Sequence, residues 1–289
     1  MQKPARIRLS SITRRAAAGA LAGACLPTAA RANPLRVASL NPCLDVILVH
    51  IADRAQIAAL SHYARDRQSS TIAAIARTLP FTYESAEEII ALRPDLVLAS
   101  QHSSLATRTA LERLNISVAT YGVPNTIAES LAQIEDVGIR TGQTARAQAL
   151  IARISETLDA ATRGNTRRPI KALVFQARGL VAGRGTLVNE VMERLGFENV
   201  AARYGVGLWG SAPLERVIAD PPELLLSARA TPGALTGAER VMAHPALARI
   251  GAHMRRAEFP EACLYCGGPV LLQTTRALVA AREAFWGGA

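Results

Sequence analysis

The run Glu87-Glu-Ile-Ile-Ala-Leu-Arg-Pro-Asp-Leu-Val-Leu98 returns 128 residues later as Glu215-Arg-Val-Ile-Ala-Asp-Pro-Pro-Glu-Leu-Leu-Leu226. Each copy reads as a helix that stops at a proline, Pro94 or Pro222, followed by an apolar run that enters a sheet. A helix-turn-strand unit present twice predicts two α/β lobes of one plan, with a cleft between them.

The surroundings of both copies extend this plan. Leu35 to Leu40, Ile57 to Leu60, Leu96 to Ala99 and Ser117 to Tyr121 read as strands, alternating with helices at Leu44 to Ala52, Ala86 to Leu92 and Leu105 to Leu114. The pattern restarts after Pro169, with strands at Lys171 to Gln176 and Glu223 to Ser227, the end of another at Cys263 to Tyr265, and helices at Thr186 to Leu195 and Leu214 to Ala219. Such alternation argues for parallel sheets with crossover helices. Between the lobes, Ala147, Leu150, Ile151, Ile154, Leu158 and Ala161 fall on one face of a helix from Thr144 to Ala161. At about 1.5 Å per residue that is a rod of roughly 27 Å. The expected organisation is an export segment at 1–32, an α/β lobe at 33–143, a connecting helix at 144–164 and a second α/β lobe at 165–289. This is an α/β fold of two Rossmann-like lobes joined by one long rigid helix as their sole connection.

The first 32 residues carry six basic and no acidic side chains around a small-residue apolar run, Ala16 to Ala24, and end in Ala30-Arg31-Ala32. That is the pattern of a cleaved export signal, and Arg14-Arg15 before a weakly apolar run points to the twin-arginine route. Lipid attachment at Cys25 fits less well, because Ala22-Gly23-Ala24 lacks the usual bulky aliphatic residue. The formal charge of +10 belongs largely to this segment; the remaining 27 basic residues face 23 acidic ones. No basic run with interleaved aromatics follows, so a nucleic-acid partner is not expected.

Few constellations could carry catalysis. Cys263-Leu-Tyr-Cys266 invites a reading as an exported thiol-disulfide oxidoreductase, but redox pairs of that spacing open a helix, whereas Cys263 reads as strand and Gly267-Gly268 intervene. For Cys43, Cys263 and Cys266, one disulfide and one leftover thiol is the simplest count, with the pairing unassigned. His50, His62, His102, His244 and His253 lack paired metal spacing, and Gly183-Arg-Gly-Thr186 lacks the lysine of a phosphate loop. The expectation is therefore a non-enzyme without a resident cofactor or metal. Binding candidates follow the strand ends, because open α/β sheets hold ligands beyond the carboxyl ends of their strands. Pro42 and Cys43 follow the first strand, and Gln101 and His102 a later one. Trp209 stands in the glycine-rich Gly205-Val-Gly-Leu-Trp-Gly210, in a chain only 4% aromatic.

Arg36-Val-Ala-Ser-Leu-Asn-Pro-Cys-Leu-Asp45, Ala58-Ala-Leu-Ser-His-Tyr63, the repeated unit and Gly196-Phe-Glu-Asn-Val-Ala201 together resemble the helical-backbone class of periplasmic binding proteins. Its members include cobalamin-, haem- and siderophore-binding proteins of ABC importers. The resemblance spans essentially all of the chain after the export segment. It implies a periplasmic monomer that captures a metal chelate between its lobes and delivers it to a membrane permease with its ATPase. It also implies a ligand-contacting role for Tyr63, a ligand-facing loop containing Tyr265 and Cys266, and docking to permease arginines by Glu87 and Glu215. By composition alone these two glutamates would be ordinary helix-dipole partners, with Ser85 and Glu88 forming a capping box.

Overall fold

The computed structural model describes residues 34–228 and 254–287. The export segment with Cys25, and His244 and His253, lie outside the described residues.

The first lobe is built on a five-stranded parallel sheet. Its strands are β1 (Val37–Ser39), β2 (Ile57–Ser61), β3 (Phe81–Thr82), β4 (Leu96–Ser100) and β5 (Ser117–Tyr121), in the order β3-β2-β1-β4-β5. β1, β2 and β4 are buried along their whole length, which is why they read as unbroken apolar runs. Helices α1 (Pro42–Ile51), α2 (Ala73–Ala76), α3 (Ala86–Leu92), α4 (Leu105–Arg113) and α5 (Ile127–Arg140) complete the lobe. The order reverses between β1 and β4, so the switch point of the sheet lies where Asn41–Cys43 and Gln101–Ser103 leave it.

The connecting helix α6 runs over Thr144–Thr162 and buries Ala147, Leu150, Ile154 and Leu158. The second lobe has a four-stranded parallel sheet in the order β11-β10-β6-β8, with β6 (Ile170–Val174), β8 (Phe197–Asn199), β10 (Leu224–Ser227) and β11 (Arg255–Glu258). A two-stranded antiparallel ribbon pairs β7 (Leu180–Ala182) with β9 (Trp209–Ser211). Helices α7 (Leu187–Arg194), α8 (Leu214–Ala219) and α9 (Val270–Gly287) are its described helices. Thr186 caps α7 by accepting from the Asn189 N–H at 3.2 Å. The repeat is realised as α3-β4 and α8-β10.

Three readings need correction. Cys263 to Tyr265 does not end a strand: Glu261–Cys263 is a 3-10 turn, and the strand lies earlier, at β11. Trp209 opens β9 and is not in an irregular loop. Nor is α6 the sole covalent tie between the lobes, because Cys43 and Cys266 form a disulfide. One apolar core runs through both lobes, with Leu44, Ile47 and Ile134 from the first and Leu187, Val270 and Leu271 from the second.

Candidate functional site

The centre of the first lobe's edge is built from Asn41 upward. Its Oδ1 accepts from the N–H groups of Cys43 at 2.9 Å and Leu44 at 3.3 Å, and Pro42 supplies the fixed φ of the first helical position. This holds Cys43 in the first turn of α1, where it bonds to Cys266 with 5.1 Å between Cα atoms, and its Sγ lies 3.7 Å from the Tyr265 carbonyl oxygen. Neither cysteine offers a thiolate to a ligand in this state. The Cys263–Cys266 redox pair is also not formed: Cys266 is taken, while Cys263 is 2% exposed and burial pushes its thiol up to about 11.

Beside the disulfide the lobes touch closely. The Gly268 N–H donates to Ser130 Oγ at 2.6 Å, and the Ile127 N–H to Glu190 Oε2 at 2.7 Å. A Cβ on Gly267 would stand 2.4 Å from Ser130 Oγ, so glycine is what permits this approach. Ser130 and Glu190 carry no sequence signal, because a serine and a glutamate on helix faces look like solvent contacts until the second lobe is docked.

Beyond β2 and β3 stands a cluster of rings. The His62 ring centroid is 3.8 Å from that of Tyr63 and 5.1 Å from that of Tyr83, and Tyr83 meets Phe81 edge-on at 5.4 Å. Tyr63 and Tyr83 are 52% and 66% exposed. Tyr83 escapes sequence reading because Phe81-Thr-Tyr83 is too short to show a period. Below the rings, Asp45 is fully enclosed and accepts from the Ser61 N–H and Oγ–H. Burial pushes its carboxyl up to about 8 against the opposing pull of the Ser39 and Ser61 hydrogen bonds. Burial likewise raises Glu84 to about 7. Glu84 sits at φ +71°, with Oε1 3.9 Å from His62 Nδ1, and neither of these enclosed atoms has a hydrogen-bond partner.

On the β4–β5 side, Gln101 and His102 are exposed, with their side-chain nitrogens 3.2 Å apart. A small recess of about 40 Å³, partly open to solvent, lies between Asn41, Ser100, Tyr121 to Pro124, Gln133 and Tyr265. From the second lobe come Tyr265, 40% exposed, and Trp209, 41% exposed on the β7–β9 ribbon. Tyr265 Oη donates to Glu261 Oε1 at 2.9 Å; burial first, then this bond, raises its phenol above the usual range. Among the described residues no group of three or more His, Cys, Asp or Glu side chains could hold a metal ion.

Glu87 and Glu215 each occupy the second position of their helix and are exposed. Neither has a hydrogen bond or ion pair among the described residues. Glu88 differs: its Oε2 accepts from Thr82 Oγ at 2.6 Å and the Tyr83 N–H at 2.7 Å. Ser85 Oγ caps the Glu88 N–H, but the reciprocal half of the expected capping box is replaced by these bonds to the β3 turn.

The periplasmic binding protein family matches residues 37–255. A cobalamin-binding protein of Halobacterium salinarum is 24% identical over 202 residues, 68% of this chain and 54% of that protein. The chain thus spans about half the length of that relative. Among solved structures, the periplasmic heme-binding protein RhuT from Roseiflexus in apo form matches with a TM-score of 0.69 at 24% identity, over 86% of this chain and 99% of that one. The periplasmic vitamin B12 binding protein BtuF of Vibrio cholerae matches with a TM-score of 0.66 at 17% identity, over 88% and 98%.

Proposed function

Because the chain belongs to the periplasmic binding protein family, we propose that it is the substrate-binding component of an ABC importer, capturing a metal chelate such as cobalamin, haem or a ferric siderophore between its lobes. The observation that carries this reading is the set of partly exposed rings on both lobes, Tyr63 and Tyr83 on one, Trp209 and Tyr265 on the other. Rigid aromatic side chains give large contact area at small entropic cost. Relatives of the same fold named for binding heme and vitamin B12 support the chelate class. Pro42, Gln101 and His102 would supply polar and backbone contacts beside these rings.

Delivery requires a permease and its ATPase, and Glu87 with Glu215 suits docking: two acids without a partner among the described residues, at equivalent places of a repeated unit, one per lobe. The work of such a protein is binding and release without chemical change. It would act as a monomer in the periplasm, exported by its basic N-terminal segment and cleaved near Ala32. No described helix is long and apolar enough to cross a membrane.

The test is a titration panel of cyanocobalamin, haemin and ferric siderophores, followed by quenching of tryptophan fluorescence. Saturable one-to-one binding of at least one chelate at micromolar concentration or below is expected. Failure of every chelate, with the protein folded and monomeric, would remove the chelate reading.

A further inference from the structure

In an open α/β sheet the crevice at the switch point is where a ligand ordinarily enters. Here both crevices are largely closed by the chain's own side chains. In the second lobe, buried Gln176 donates to the Phe259 carbonyl at 3.0 Å and accepts from the Ala228 N–H at 3.3 Å, tying the exits of β6, β10 and β11. In the first lobe the crevice between β1 and β4 holds Cys43, bonded across the cleft to Cys266. Since β1 is the middle strand of the order β3-β2-β1-β4-β5, the disulfide stands at the middle of the ligand-facing edge. It leaves two unequal sides. Toward β4 and β5 the gap narrows to the small recess under Tyr265, about 40 Å³, far below the range of about 300–1,000 Å³ that encloses drug-sized ligands. Toward β2 and β3 stand the exposed rings of Tyr63 and Tyr83 with His62 between them, above two enclosed polar atoms without partners.

We infer that the Cys43–Cys266 disulfide is a strut that fixes the spacing of the two lobes and sorts ligands by thickness. It refuses a chelate that must sit at the middle of the cleft and admits one that lies beside it, against His62, Tyr63 and Tyr83. The sorting rests on the chelate reading above; the fixed spacing does not. A 5.1 Å separation of the joined Cα atoms lies within the ordinary span of a disulfide, so the lobes cannot part at this point while the bond exists.

The experiment compares oxidised wild-type protein with the C43S/C266S variant and with wild type reduced by a phosphine, each checked for folding by circular dichroism. In small-angle scattering without ligand, the two disulfide-free forms should show a larger radius of gyration and a broader distance distribution than the oxidised form. Superimposable profiles from folded proteins overturn the strut. Cyanocobalamin, which is bulky in all directions, and haemin, which is flat, are then titrated into each form. Removing the bond should tighten cyanocobalamin binding by at least about tenfold and change haemin binding by less than about threefold. Equal affinities with and without the bond, or parallel losses for both probes, overturn the sorting. If neither probe binds any form, the chelate reading fails together with the sorting, and the scattering still decides the spacing.

Discussion

Asp45 is a carboxyl enclosed beneath the ends of β1 and β2 and held neutral by that enclosure, with its folded value near 8 against about 4 in an unfolded chain. The folded protein therefore binds more protons than the unfolded chain between those values. Stability from this group is fully present below about pH 4 and is lost as pH rises toward 8; Glu84, raised to about 7, acts in the same direction. Thermal unfolding should show a lower Tm at pH 8 than at pH 5, and Asp45→Asn, which mimics the neutral acid, should flatten that slope. A slope unchanged by the substitution would assign the pH dependence to other groups. The ring assignments are testable at the same scale. Trp209→Ala and Tyr63→Ala should keep cooperative unfolding yet weaken chelate binding at least about tenfold, about 1.4 kcal/mol, and unchanged affinity in both would remove them from the site. Trp209 stood out in the sequence because rings are scarce in this chain; Tyr63 and Tyr265 were candidates only through the family resemblance. Tyr83 and Ser130 were not, because their significance depends on neighbours far away in sequence.

At the scale of elements, the α3-β4 and α8-β10 repeat was legible because proline punctuation and apolar runs are local signals. β11 was not. It is an edge strand, Arg-Arg-Ala-Glu, mostly exposed, and edge strands carry charge where interior strands carry apolar runs. The apolar Cys263–Leu264 stretch is buried through a 3-10 turn, which periodicity does not distinguish from a short strand. The two equivalent glutamates give an element-level prediction. As helix-dipole partners alone, Glu87→Gln with Glu215→Gln would cost a few tenths of a kcal/mol in stability and nothing else. As docking charges, they should leave chelate affinity intact but slow complex formation with the permease, most visibly at low salt. Normal complex formation by the double variant would show them to be structural. At the interlobe seam, Gly267→Ala forces a Cβ onto Ser130 Oγ and Leu187 Cδ2. Overpacking of this kind costs about 1–3 kcal/mol, to be read as a shift in urea midpoint at unchanged slope.

For the whole molecule, the two-lobe plan followed from the repeat, whereas the degree to which the lobes are fastened did not. Sequence reading left the pairing of three cysteines open, and the ties at Ser130 and Glu190 are invisible before docking. Reduction of the Cys43–Cys266 bond releases a loop of very large size, and on chain-entropy grounds should lower unfolding stability by about 5 kcal/mol, measured by urea titration with and without reductant. A loss near zero would mean that the apolar seam alone sets the stability of the closed form. With the bond intact, scattering profiles of free and ligand-bound protein should nearly superimpose.

The partners of that bond are 223 residues apart, which gives it a place in time as well as in space. At roughly 5–20 residues synthesised per second, roughly 10–45 s separate the appearance of Cys43 from that of Cys266. Because the bond forms only after export, in an oxidising compartment, that interval does not order the pairing: Cys43, Cys263 and Cys266 are all present when it is made. Only a chain whose second lobe has already withdrawn Cys263 into its interior can present Cys266 alone, so the covalent closure of the molecule marks the completion of both lobes.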